Sequence, residues 1–213
     1  GKLLREGMAR SGEQGPMTLV SAWATQNHLL LGQIAAPKGS SELGALPKLL
    51  ELLDLHGAIV TLDALGCQKE IVAQIVDQGG DYVIAVKGNQ EKLEAAVQEA
   101  LAEGFEQDAV MPTVVRKEQG HGRQECRTCT VLELPSNFPE REQWKGLRSV
   151  AMVLRDSVDG SGKRHTGIRY YISSLPARAT RILEAVRSHW SIENQLHWEL
   201  DVAFDEDRNR ARA

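Results

Sequence analysis

At 213 residues, with 42% hydrophobic and 25% charged residues, the chain has the composition of an ordinary globular protein, with length for one sizeable core and an inserted lobe rather than two equal domains. No run of roughly 20 apolar residues is present to span a bilayer, no secretory leader opens the sequence, and the first residue is not Met, so the sequence is expected to begin inside a longer protein. A net charge of −4 and a pI near 5.9 count against nucleic-acid binding as a bulk property, so any phosphate contact must come from local basic patches.

Candidate patches are Lys2, Arg5 and Arg10 at the start, Arg178, Arg181 and Arg187 before a late helix, and Arg208, Arg210 and Arg212 at the end. The three cysteines, Cys67, Cys126 and Cys129, are sparse and odd in number, which suggests a reducing cytosol. Cys126 and Cys129 form a CxxC, but no second Cys/His pair completes four zinc ligands. A strand there would put the two thiols on opposite faces, so their expected role is structural.

The polar, Gly-rich opening Gly1 to Pro16 reads as a loop. Met17 to Ala24 and His28 to Ala35 read as strands joined by a turn at Thr25-Gln26-Asn27. A helix start at Ser40-Ser41-Glu42 leads into Leu46, Leu49, Leu50 and Leu53, apolar positions at helical spacing. Ala58 to Leu62 is a short apolar run, the pattern of a strand covered on both faces, and it ends in Asp63. A helix from about Gln68 to Gln78 follows, then a second buried strand, Tyr82 to Val86, ending in Lys87-Gly88-Asn89-Gln90. Another helix runs to about Glu103. Strand, helix, strand, helix at these lengths predicts a parallel, right-handed βαβ unit.

From Ala109 to Ser173 the character becomes mostly β. Strands are predicted at Val110 to Arg116, Arg127 to Leu134, Leu147 to Asp156 and Gly167 to Ile172, with helix at Pro176 to His189 and Trp190 to Asp201. The expected organisation is a core at 1–108, a β-rich insertion at 109–174 and C-terminal core helices at 175–213.

Open α/β sheets place ligands beyond the carboxyl ends of their strands. Asp63 lies at that end of one buried strand, and Lys87, Asn89 and Gln90 at the end of the next. If the strands are neighbours, all four side chains look into one crevice; alternatively, Asp63 caps the following helix. On the late helix, Ile182, Ala185, Ile192, Leu196, Leu200 and Ala203 fall on one apolar stripe at about 100° per residue. Glu193 lies at its rim, and His189, Glu193 and His197 share a side at i, i+4, i+8.

Several segments resemble a known family. The run Thr61 to Glu70, reading TLDALGCQKE, resembles the second-aspartate motif of insertion-sequence DDE transposases, in the subgroup of the H-repeat-associated proteins. DYVIAVKGNQ, Asp81 to Gln90, is similar to the segment that follows it, and His121-Gly122-Arg123-Gln124-Glu125 resembles a short signature in the β-rich insert. RSHWSIENQLHW, Arg187 to Trp198, resembles the glutamate motif. The match covers nearly the whole chain.

The resemblance implies an α/β, RNase H-like mixed sheet flanked by helices, with a mostly β insertion before the last catalytic helix. It implies two aspartates and a glutamate holding two divalent ions, Mg2+ or Mn2+. Asp63 takes the place of the second aspartate and Glu193 that of the glutamate. Gly1-Lys2-Leu3-Leu4-Arg5 matches the neighbours of the first aspartate, which would directly precede Gly1. Two places depart from the family's pattern: Ser41 stands where Asn is usual, and His189 stands where many relatives carry arginine four residues before the glutamate.

The function so implied is metal-dependent phosphodiester cleavage and strand transfer at insertion-sequence ends. The implied partner is double-stranded DNA, both the element's ends and its target. A homo-oligomer is expected in the synaptic complex, with no membrane partner, and the implied place is the bacterial cytoplasm at the nucleoid. Lys87, Asn89, Gln90, His121, Arg123, Arg187 and His189 are the expected DNA contacts, whereas Trp190 and Trp198 are expected to pack. Two rival readings are a catalytically inactive DNA-binding remnant lacking the first aspartate, and a small metallohydrolase ligated by His189, Glu193 and His197.

Overall fold

The computed structural model describes residues 2–4, 17–36, 42–120 and 123–190. The chain divides into two compact units, Gly1–Leu55 with Arg187–Ala213, and His56–Val186.

The first unit contains a three-stranded antiparallel sheet in the order β1 (Lys2–Leu4), β2 (Met17–Ala24), β3 (Leu29–Ala35). The turn between β2 and β3 holds His28 at φ 53°, a left-handed residue that closes the hairpin. A short helix, α1 (Leu46–Glu51), starts with Pro47 in its first turn, where the missing N–H costs nothing. It buries Leu46, Leu49 and Leu50. Gly32 in β3 lets this helix approach closely, since a Cβ there would lie 3.3 Å from Leu49 Cδ1. Strand β1 falls in the stretch expected to be a loop. Three residues are too few for alternation to register, and their pairing with Met17 to Leu19 is a tertiary effect. Residues 5–16 of that stretch lie outside the described residues.

The second unit is built on a six-stranded mixed sheet. Its strands are β4 (Ile59–Leu62), β5 (Asp81–Val86), β6 (Thr113–Gly120), β7 (Arg123–Glu133), β8 (Ser149–Val158) and β9 (Arg164–Ser173). They lie in the order β4-β5-β9-β8-β7-β6. Strands β4 and β5 are parallel, with Ile59 opposite Asp81 and Leu62 opposite Ile84, and every other pairing in the sheet is antiparallel. The parallel pair is joined by α2 (Lys69–Asp77), as the sequence predicts. The helix α3 (Glu91–Glu106) follows β5, and α4 (Ala179–His189) follows β9.

Helices cover both faces. On one, α4 packs Ile182, Leu183 and Val186 onto Val83, Cys129, Val131, Ala151, Val153 and Tyr171. Opposite faces of a strand alternate with period two, so Ile84, Val150 and Ile172 look the other way. They are fully buried beside α3, which crosses β7, β8 and β9. A Cβ on Gly104 in α3 would lie 3.6 Å from Leu132 Cδ1, an ordinary packing distance between that helix and β7.

At the end of β9 a polar network satisfies the chain where the ladder stops. Ser173 Oγ donates to Tyr82 O at 2.8 Å and accepts from Leu175 N at 3.0 Å, while Ser149 Oγ donates to Leu175 O at 2.7 Å. Ser173 and Ser149 are buried, so each hydroxyl replaces a ladder bond that water cannot supply.

Strand β6 begins at Thr113 rather than Val110, which is 92% exposed. Pro112 cannot donate to a ladder. The hairpin of β6 and β7 also extends further than hydrophobicity indicates, to Gly120 and back from Arg123, because its outer part alternates between polar residues. The expected helix beyond Trp190 lies outside the described residues.

Candidate active site

Asp63 follows directly on β4 and caps a single 3-10 turn, Ala64–Gly66. Its Oδ1 accepts from Leu65 N at 3.1 Å and from Gly66 N at 3.3 Å. The second oxygen, Oδ2, accepts no hydrogen bond among the described residues, and the side chain is exposed. Asp63 therefore caps a turn, not α2, and keeps one carboxylate oxygen open. The turn is tight: a Cβ on Gly66 would sit 2.9 Å from Leu62 Cβ, so only glycine fits above the end of β4.

Because β4 and β5 are adjacent and parallel, their carboxyl ends lie side by side. Strand β5 ends at Val86, Lys87 turns the chain in extended conformation, and Gly88–Gln90 forms a second 3-10 turn that leads into α3. Asn89 Nδ2 donates to Ala64 O at 2.7 Å, and Gln90 Nε2 donates to Cys67 O at 2.8 Å. Two side chains of the second turn thus staple the first. The structure brings Asp63, Lys87, Asn89 and Gln90 to one edge, as the sequence predicts. It also gives the two amides a positioning task, since their N–H groups are engaged with the Asp63 turn.

Beside this edge is a cleft of about 470 Å³, lined in part by Lys69, Gly88, Asn89, Gln90, Lys92 and Gln143. Lys69, one turn beyond Asp63, donates to Gln143 Oε1, and its ammonium lies 6.0 Å from the centre of the Trp144 ring. Sequence reading did not single out Lys69. Its only signal is its place at the start of α2, and its partners come from a segment 74 residues away.

Two of the three cysteines are inert. Cys67 and Cys129 are fully buried, and burial pushes each thiol up to about 12, so neither is a thiolate near neutral pH. Cys126 and Cys129 are both free, on opposite faces of β7.

Of the other expected site residues, Glu193 and His121 lie outside the described residues, as does His197. Arg123 opens β7. Arg187 and His189 stand in the last turn of α4, where the His189 ring meets Trp190 edge-on at 5.4 Å between centroids. Arg178 and Arg181 are exposed.

An exposed carboxylate with one open oxygen, on a strand end and braced by two backbone N–H groups, is the hard donor that a small divalent cation prefers. Among the described residues no three His, Cys, Asp or Glu gather closely enough to hold a metal ion; of the expected pair Asp63 and Glu193, Asp63 alone lies within the described residues.

Comparison with known proteins agrees with this architecture. The chain is 39% identical to "Putative protein YbfL" of Escherichia coli K12 and 38% identical to "H repeat-associated putative transposase YhhI" of the same strain. It is 39% identical to "Putative transposase YncI" of E. coli O157:H7. All of the chain aligns in each case, and it spans 55–57% of the length of these relatives. Residues 6–213 match the transposase DDE domain, of which a mixed sheet flanked by helices, RNase H-like in kind, is the expected core. The chain belongs to the transposase DDE domain family.

Proposed function

We propose that this chain is the catalytic part of a DNA transposase that cleaves phosphodiester bonds at the ends of an insertion sequence and joins them to target DNA. The observation that carries the reading is Asp63: an exposed carboxylate on the edge of a parallel strand pair, in a chain of the DDE family.

In this reading Asp63 and Glu193 are two of the carboxylates that hold divalent metal, Mg2+ or Mn2+. When bound, the metal supplies charge neutralisation at the scissile phosphate and lowers the pKa of a bound water or hydroxyl. The chain's own residues do the rest. The N–H groups of Leu65 and Gly66 fix Asp63 Oδ1, so Oδ2 keeps one direction without rotamer search. Asn89 and Gln90 hold the Asp63 turn against the Lys87 turn. Lys87 lies exposed on the same edge, where its ammonium fits a DNA phosphate as a point charge. His121, Arg123, Arg187 and His189 are assigned to further DNA contacts. The division into a core at 1–108 and 175–213 with an insertion at 109–174, a homo-oligomer at synapsis, and a location at the bacterial nucleoid belong to the same reading.

The test is cleavage of duplex DNA carrying the element's terminal repeats by the full-length protein with Mg2+. Asp63→Asn and Glu193→Gln are each expected to lower cleavage by at least a hundredfold while leaving DNA binding in place. Wild-type binding without cleavage would turn the reading into that of an inactive remnant.

A further inference from the structure

The hairpins β6/β7 and β8/β9 run well beyond the part of the sheet that α4 covers, and on that helix-bearing face they present an unusual arrangement of charge. Arg116 lies directly opposite Arg127, and Arg127 directly opposite Arg155. Three arginines therefore stand in one row across three adjacent strands, with their Cα atoms about 5 Å apart. Like charges directly opposite one another in a sheet are destabilising. Glu125 accepts from Arg127 and, at 2.9 Å, from Arg155, and Glu118 lies 3.3 Å from Arg127. These two carboxylates are themselves opposite one another and offset only part of the charge. Arg116 makes no ion pair among the described residues.

The row ends at Gly167, the partner of Arg155 in β9. Nothing in the backbone requires glycine there. Its φ is not positive, and a Cβ at that site would meet no atom within 4 Å. A glycine inside a strand weakens it and often marks close approach of a ligand or another backbone. Two residues away on the same face stands Arg169, opposite Val153. The result is an open notch edged by Arg155 and Arg169, at the end of a row of arginines. The like charges of the row and the glycine in the strand each weaken the sheet locally.

We propose that this face, Arg116, Arg127 and Arg155 with the notch at Gly167 and Arg169, is a binding surface for the sugar–phosphate backbone of DNA. The planar guanidinium matches phosphate oxygens two at a time, and Glu125 holds two of the guanidiniums in place before a ligand arrives. Contact of this kind is independent of base sequence. It gives the duplex a second point of contact besides the Asp63 edge and explains how a chain of net charge −4 grips DNA. This assignment rests on the reading of the chain as part of a DNA transposase and adds a surface to it.

The test is fluorescence anisotropy of a short duplex of arbitrary sequence with the full-length protein, over a series of salt concentrations, with thermal melting in parallel. Arg116→Gln and Arg155→Gln should each weaken binding several-fold and reduce the slope of log K against log salt by about 0.9. Gly167→Val should weaken binding while leaving the melting temperature equal or higher. A merely structural role for these residues predicts the opposite, lower melting temperature with unchanged affinity. Variants that bind with wild-type affinity and slope would overturn the surface alone. A wild-type protein that binds no duplex would overturn the transposase reading itself. Polyglutamate that competes with DNA and loses its own binding in the same variants would assign the face to an acidic protein instead.

Discussion

At the scale of single residues, Asp63 has two separable duties. Oδ1 caps a turn and the open Oδ2 is the assigned metal donor, so substitutions can divide them. Asparagine keeps an oxygen for Leu65 N and Gly66 N but removes the charge, whereas alanine removes both. Asp63→Ala should therefore destabilise the protein by about 1 kcal/mol, the usual cost of a lost cap, and Asp63→Asn by only a few tenths. Urea denaturation of the two variants checks this; equal losses would mean that the cap bonds contribute nothing. The sequence offered Asp63 either as a carboxylate facing the crevice or as the cap of the following helix; it caps the single 3-10 turn before that helix instead, and through one oxygen only. The positioning bonds of Asn89 and Gln90 were not legible, since an amide's partner is a backbone carbonyl that no motif names.

Between elements, one carboxylate ties the end of β7 to the residue entering β8 and to the segment entering α4. Glu133 accepts from Arg148 Nε at 2.6 Å and from Ala177 N at 2.7 Å. Burial alone would raise its carboxyl pKa, but the bonds from Arg148 and Ala177 and the charges of Arg148 and Arg141 outweigh that and hold it below the usual range. A depressed folded value means stability that is present above the unfolded pKa, about 4.3, and lost as pH falls through the folded one. Glu133→Gln should lower the melting temperature at pH 7 by at most a few degrees, because the pair is half exposed and screened. The difference from wild type should shrink to nothing on acidification below the carboxylate range. A gap that persists at low pH would mean the link is packing and not charge. Elements of this kind were legible where apolar periodicity was strong, as in β4, α2, β5 and α3. They were not in the outer hairpins, where both faces are polar. Cross-strand register set the arginine row: no local pattern announces that residues 116, 127 and 155 will stand side by side.

For the molecule as a whole, the order of elements gave away the class. Two apolar runs with a helix between them meant adjacent parallel strands, and adjacency alone brought Asp63 to the Lys87 turn. The mixed sheet was harder to foresee. Strand β9 inserts beside β5 across more than 80 residues of sequence, and the serine network at its end secures that pairing. The central claim, that Asp63 and Glu193 serve one metal-holding set, is tested most directly by Mn2+ titration of the full-length protein, with free Mn2+ read by electron paramagnetic resonance. The account predicts that Asp63→Asn and Glu193→Gln each weaken Mn2+ binding at least tenfold, while His197→Ala leaves it unchanged. Loss of binding in His197→Ala with none in Asp63→Asn would contradict it.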